Sequence, residues 1–524
     1  MSTAPAETIF ADAVLNAWLA GVGLAVEYVR AEGNTLYYRD DRGDEVAVLD
    51  LLCGFGSLIF GHHHPEIVAH AKAALDAGIP VHAQLSKQPH GNQVGAALNA
   101  IVRRETGRDD RYTAVFANSG AEAIEICMKH AELERRDRVR ALMDEVAEHL
   151  EQARRAVRGG AATAAAAGSD DAGAVGDPVE RFEALAAEVS RRNAELLGRP
   201  PLFLALEGAF HGKLVGSIQL TQNEQWRAPF AALAPAARFL PAADPEAFAK
   251  AVASLREYAL DVIIDAGKVR LVERDFPLVG ALFVEPVRGG AGMRPVTAAL
   301  AREIERTAAT LGCPVVVDEV QSGMGRTGAF LASSHMGLRG DYYTLAKSIG
   351  GGIAKNSVVL VRQDRFRPEF EVIHSSTFAK DGFSGAIALK TLEMLEANDG
   401  EAYRVAAERG GRLAVTLAAV QADFPDVVTG VHGIGLMLAM ELAEQSESAS
   451  EVIREPARAG FLGYFLAGYL LRRHRIRVLP AGPAWNSVRF EPSIYLTDQD
   501  IERIDIALRA MCSILRSEDG GALL

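Results

Sequence analysis

Three apolar runs in the middle of the chain do not alternate with polar residues. They are PLFLALEG (201–208), GALFVEPV (280–287) and CPVVVDEV (313–320). A run of this kind suits a strand buried on both faces, as in a parallel sheet covered by helices. A fourth run, YTAVFANSG (112–120), leads into the helical AEAIEICMKHAELERR. Strands separated by helices predict an α/β fold with a mostly parallel central sheet. Such sheets bind ligands beyond the carboxyl ends of their strands. The runs carry Glu207, Glu285 and Asp318 to that edge.

The pattern then changes period. Val139, Leu142, Met143, Val146 and Leu150 repeat at helical spacing, as do Phe182, Leu185, Val189 and Leu196. Between them lies VRGGAATAAAAGSDDAGAVGD (157–177), an Ala/Gly/Asp stretch of linker composition. The expectation is an inserted helical arm over residues 135–198 with a flexible tip. Residues 381–524 read differently. FSGAIALKTLEMLEAN is helical, and GVHGIGLMLAMEL, IRVLPAG and SVRFEPSIYLT alternate like half-buried strands. DQDIERIDIALRAMCSIL is a last helix, with Thr497 as its cap. This predicts a second, α+β domain.

Composition narrows the function classes. The 524 residues are 49% hydrophobic with a formal net charge of −13. That is globular composition with material for two domains, and the acidic balance argues against nucleic-acid or anionic-membrane surfaces. No run is long enough to span a bilayer, and the first residues lack a signal-peptide core, so a cytoplasmic location is expected. Cys53, Cys127, Cys313 and Cys512 have neither zinc nor disulfide spacing and read as reduced, mostly buried thiols.

Three weak chemical signals combine. Ser119, Gly120 and Ala121 stand where a strand runs into a helix, so free N–H groups and a hydroxyl could hold a phosphate. Asp318 ends a buried strand and needs a partner, either a protonated heterocyclic nitrogen or a cap or arginine such as Arg326. Lys347 follows an apolar run and precedes Gly350, Gly351 and Gly352, where backbone can approach closely. A lysine with a lowered pKa forms a Schiff base with an aldehyde. Phosphate cup, carboxylate and lysine are together what pyridoxal phosphate requires.

The motifs NSGAEAIE, GAFHGKLVGSIQLT, FVEPV, VVVDEVQSGMGRTGAF, TLAKSIGGG, SSTF and SVRFEP occur in this order from about residue 50 onward. The chain resembles the class III (ω-type) pyridoxal-phosphate aminotransferases, the group that includes ornithine and 4-aminobutyrate aminotransferases. The resemblance implies fold type I, with a large α/β cofactor domain (85–380). It also implies a small α+β domain built from the N-terminal segment and substrate mouth (1–84) and the C-terminal part (381–524). By the same resemblance, Lys347 is the Schiff-base lysine and proton shuttle, and Asp318 pairs with the pyridinium nitrogen. Ser119, Gly120 and Ala121 hold the phosphate. Phe210 stacks on the ring with His211 beside it, Val320 packs on the opposite face, and Gln321 bonds the phenolic oxygen. Glu285 is a buried carboxylate near the site. Ser376 and Thr377 belong to the SSTF loop, and Thr377 reaches the phosphate in a partner subunit, which implies a homodimer. Arg489 binds a substrate carboxylate. Phe55 and Ile59 lie in the segment that lines the substrate mouth, for which core packing is the alternative. His62, His63 and His64 match a family GHxHP motif that binds no metal.

The implied reaction moves an amino group from an amino-acid donor, glutamate or alanine, to an aldehyde or keto acid. A dialkylglycine-type decarboxylase or an aminomutase on the same fold is the alternative. The inserted arm is a candidate docking place for a carrier protein that delivers substrate. The chain also departs from the family pattern. Ala121 replaces a frequent threonine, Gly290 replaces a glutamate that pairs with the carboxylate-binding arginine, and Lys380 and Asp381 alter the loop after Thr377. No proline follows the three glycines. Glu491 lies two residues from Arg489, on the same face of a strand, and is the candidate replacement partner.

Overall fold

The structure is a computed structural model that describes residues 11–164, 177–481 and 484–524. Its centre is a seven-stranded sheet. The strand order is Tyr112–Ala117, Ser357–Arg362, Tyr342–Leu345, Val315–Asp318, Val279–Val284, Leu202–Leu206 and Ala237–Leu240. Ser357–Arg362 runs against both its neighbours, and the other pairings are parallel. Every residue of Val279–Val284 and Val315–Asp318 is buried. This is why those runs do not alternate: helices cover both faces of the sheet.

The small domain draws on both ends of the chain. Glu45–Asp50 pairs in parallel with Ile476–Arg477, which brings the first strands against the C-terminal part. A second sheet has the order Val428–Ile434, Met437–Leu442, Ala484–Phe490, Leu479–Ala481. The last helix, Asp498–Ser517, starts at a capping box. The Thr497 hydroxyl accepts from Asp500 N, and the Asp500 carboxylate accepts from Thr497 N. All four cysteines are free and buried.

The inserted arm differs from the expectation. One helix, Gly120–Arg158, runs unbroken from the cup residues into the arm. The second helix is Pro178–Leu197, started by Asp177, whose side chain accepts from Val179 N. A hairpin from elsewhere in the chain, Glu257–Asp265 and Lys268–Phe276, completes the unit, with Thr163–Ala164 as its third strand. The helical spacing could not reveal this, because the hairpin lies about sixty residues downstream of the second helix. Of the expected linker, residues 157–164 are helix end, turn and strand, and residues 165–176 lie outside the described residues. The arm has its own core, in which Val146, Phe182, Val189, Val262 and Val269 are buried together. Asn193 binds the edge of the hairpin, donating to Leu260 O at 2.8 Å and accepting from Leu260 N at 2.9 Å.

Phe182 is fully buried in that separate core. Phe182→Ala should cost about 3–5 kcal/mol there. The expected result is faster amide hydrogen exchange in the Pro178–Leu197 helix and the 257–276 hairpin, with the central sheet still protected. Equal loss of protection in the central sheet would contradict an independent core.

Candidate active site

Lys347 follows the strand Tyr342–Leu345 and takes a left-handed backbone conformation, φ +50°. Ser348, the next residue, donates its hydroxyl to Gly56 O at 3.1 Å and ties the lysine loop to the N-terminal segment. Among the described residues no hydrogen bond or ion pair holds the Lys347 ammonium. Burial pushes its pKa below the ordinary lysine range and the Arg489 charge adds to that, while Glu491, Asp318 and Glu285 oppose it. A buried amine with a lowered pKa is a usable nucleophile.

Asp318 ends the neighbouring strand and is 6% exposed. Its Oδ2 lies 2.7 Å from His211 Nδ1, and its Oδ1 accepts from Thr344 Oγ1 at 3.0 Å and Val320 N at 3.1 Å. Burial lowers the His211 pKa, but the hydrogen bond and charge of Asp318 outweigh it and the net shift is upward. His211 Nε2 is buried without a partner. The expected alternative for Asp318, a salt bridge to Arg326, is absent. Arg326 instead donates to Gly56 O, Leu436 O and Pro492 O.

Glu285 accepts from Phe210 N at 2.8 Å and Gly289 N at 3.1 Å. Burial is the main cause that pushes its pKa up to about 7. Glu207, the third carboxylate expected at this edge, has an exposed side chain and contributes only its carbonyl, to Arg288.

The cup lies at the start of the Gly120–Arg158 helix. Ser119 is its N-cap, accepting from Glu122 N at 3.3 Å. Gly120 is tightly placed, since a Cβ there would stand 2.6 Å from Val320 Cγ1. The backbone of Gly212 lies against Ala121, with a Cβ on Gly212 falling 2.8 Å from Ala121 Cβ. Asn118 Nδ2 donates to Ser376 Oγ at 3.0 Å and brings the SSTF loop to the cup. Thr377 is exposed, and its carbonyl accepts from Gln84 Nε2 at 2.9 Å.

On the other side, Arg489 donates through Nε to Pro480 O at 2.8 Å, and its guanidinium lies 5.3 Å from the centre of the Phe55 ring. Arg489 Nη1 and Glu491 Oε2 are 3.5 Å apart. Gln321, expected at the cofactor's phenolic oxygen, donates from Nε2 to Glu491 Oε1 at 2.6 Å. Gly290 has no room for the glutamate usual at its position, because a Cβ there would lie 2.5 Å from Gly208 O. Ile59 is 2% exposed and packs in the main core, the alternative given for it above. Its carbonyl accepts from Ile494 N. Of the histidine run, His62 binds Asp50 and His64 binds Tyr495.

A family model for class-III aminotransferases matches residues 20–512. The chain belongs to the class-III aminotransferase family. It is similar in structure to an ornithine aminotransferase from Toxoplasma gondii, with a TM-score of 0.62 and 19% identity over 94% of this chain and 91% of that one. An amine transaminase from an uncultivated Pseudomonas species, in a form with pyridoxal phosphate bound, gives a TM-score of 0.64 and 20% identity over 93% and 94%. An N-acetylornithine aminotransferase from Stenotrophomonas maltophilia gives 0.59 and 20% over 96% and 99%. Family membership makes this a pyridoxal-phosphate-dependent aminotransferase of fold type I.

The residues present fit that cofactor. The Asp318 charge acts on the unpartnered Lys347, His211 and Thr344 brace Asp318, and Gly120 at the capped helix start lies against Val320. Sequence reasoning missed three supporting groups. Thr344 fixes Asp318, Ser348 fixes the lysine loop, and Trp226 packs edge-on to Phe210 with ring centres 6.3 Å apart. Lys213 Nζ lies 3.8 Å from the Trp226 ring centre. Thr344 alone had a signal, since it sits in the strand just before the lysine.

The raised Glu285 pKa has a thermodynamic consequence. The folded protein keeps this proton to about pH 7, whereas the unfolded chain releases it in the ordinary glutamate range, so the native state binds more protons between these limits. Stability contributed at this group therefore falls as pH rises across that window. Glu285→Gln should flatten the decline in denaturant titrations made from about pH 4.5 to 7. An unchanged slope would show that the carboxyl is already ionised.

Proposed function

We propose that this aminotransferase takes the amino group from a carboxylate-bearing donor, glutamate or alanine, and passes it to an aldehyde or keto acid. The observation that carries the reading is the unpartnered, depressed-pKa Lys347 beside the braced Asp318, with Arg489 on the far side. Bound pyridoxal phosphate supplies an electrophilic aldehyde and an electron-accepting ring. Lys347 Nζ would hold the cofactor at that aldehyde and would move the substrate proton. Asp318 keeps a proton on the ring nitrogen, and His211 and Thr344 hold the Asp318 carboxylate in place. Ser119, Gly120 and Ala121 hold the phosphate through N–H groups and a hydroxyl. Phe210 and Val320 cover the two faces of the ring. Arg489 takes the donor carboxylate in the bidentate manner of a guanidinium, and the exposed Phe55 ring beside it excludes water. Glu491 stands in for the glutamate that Gly290 cannot be, pairing Arg489 when an acceptor without a carboxylate must enter.

Lys347→Ala should abolish both the visible absorption of the lysine-bound cofactor and turnover. In the wild type, glutamate or alanine alone should bleach that band in the first half-reaction. Release of carbon dioxide, or turnover of one substrate with no acceptor, would point instead to the decarboxylase or mutase chemistry.

The working unit is a homodimer. Thr377 and Phe378 are exposed beside a cavity of about 500 Å³ lined in part by His82, Leu85, Phe116, Ser376 and Lys380. Leu85, Val372, Ile373 and Phe378 expose much of their apolar surface around it. A second copy covering this face would bring Thr377 to the neighbouring phosphate. Phe378→Asp is expected to give monomers by sedimentation and at least a tenfold loss of turnover. An active dimer would rule this face out. The arm has a core of its own, which suits a platform for a carrier of the substrate. Among the described residues no helix is long and apolar enough to cross a membrane, and a cytoplasmic place suits the buried reduced thiols.

A further inference from the structure

Glu491 is the candidate partner of Arg489, and its surroundings ask for more than a pairing role. The side chain is fully buried. An isolated carboxylate in that position would be costly, so its contacts define what it does. Oε1 accepts the 2.6 Å hydrogen bond from Gln321. Oε2 has no hydrogen-bond partner and stands 3.5 Å from Arg489 Nη1. The Glu491 N–H donates to Leu51 O at 2.7 Å, which fixes the strand end and aims the side chain. Gly56 leaves the space the carboxylate occupies, for a Cβ there would lie 2.8 Å from Oε1.

The contacts are unequal. Arg489 is already held by Pro480 O and by the Phe55 ring, so the long contact to Glu491 adds little to its placement. Gln321 has a short bond to the carboxylate. Ser348, next to Lys347, donates to Gly56 O, and Gly56 lies against the Glu491 carboxylate. The carboxylate therefore adjoins Gln321, Arg489 and the segment tied to the lysine loop, and its charge opposes the loss of the Lys347 proton.

We propose that Glu491 is a positioning residue for the reaction. One buried carboxylate holds Gln321 by a hydrogen bond, faces Arg489, and sets a negative charge against the segment that is tied to the Lys347 loop. This rests on the reading that Lys347 carries pyridoxal phosphate.

The test follows the visible absorption of the holoenzyme as pH is varied, in wild type, Glu491→Gln and Glu491→Asp. The amide keeps the size and can still accept from Gln321, so only the charge is lost. Removing a negative charge beside a nitrogen weakens its hold on a proton, and the midpoint should fall by about one pH unit. Glu491→Asp, which keeps the charge, should restore most of the shift. Glu491→Gln should also lower KM for a carboxylate donor while KM for a carboxylate-free amine stays level. An unchanged midpoint in Glu491→Gln overturns the proposal. So does loss of the band in both variants, which would mark a purely structural role, whereas loss in Glu491→Gln alone supports the need for charge. A wild-type protein with no band at any pH would fail earlier, at the cofactor reading itself.

Discussion

The site depends on one buried cation. Arg326 is fully buried, and desolvation pushes its pKa down while the charge of Glu491 opposes the shift. A guanidinium in that position must find acceptors or cost several kcal/mol. Its acceptors are the carbonyls of Gly56, Leu436 and Pro492, from the N-terminal segment, the turn between Val428–Ile434 and Met437–Leu442, and the segment after the strand Ala484–Phe490. Three distant parts of the chain are thus bound to the loop that begins at Asp318. Gly56 O also accepts from Ser348, next to the lysine. The N-terminal segment, the loop after Asp318 and the loop of Lys347 are thus tied together through the Gly56 carbonyl.

Within that frame, burial and charge oppose each other at each group. Burial lowers Lys347 and raises Glu285, so that at neutral pH the amine loses its proton more readily and the carboxyl keeps its proton longer. Asp318 reverses the effect of burial on His211, because a short hydrogen bond to a carboxylate outweighs the cost of burying the imidazolium. Neighbouring side chains on adjacent strand ends are therefore shifted in different directions. The geometry that does this is a property of the sheet edge, where parallel strands end at the same level.

The arm obeys a different logic. Its helices and hairpin bury their apolar faces against one another, in a core separate from that of the main domain. The first helix belongs to both units: its first turn forms the cup and its last turns build the arm. Ordering at one end of a rigid helix fixes the direction of the other, so the arm projects in a direction set by the first turn of that helix.

The sequence by itself determined the parts whose meaning is local. The non-alternating runs told of buried parallel strands, the Thr497 signature told of a helix start, and the order of cup, Asp318 and Lys347 told of the cofactor. Each depends on residues close in the chain, where period, capping and spacing suffice. Only the tertiary structure decided what depends on distant partners. It put Ile59 in the core, gave Gln321 to Glu491, set Arg326 on three carbonyls instead of on Asp318, and joined the 257–276 hairpin to the arm. Glu207, Glu285 and Asp318 all end apolar runs, yet only the last two face inward, because the turn after each strand sets the direction of the side chain. Burial, and the need of each buried polar group for a partner, are properties of the folded chain as a whole, and no window of sequence contains them.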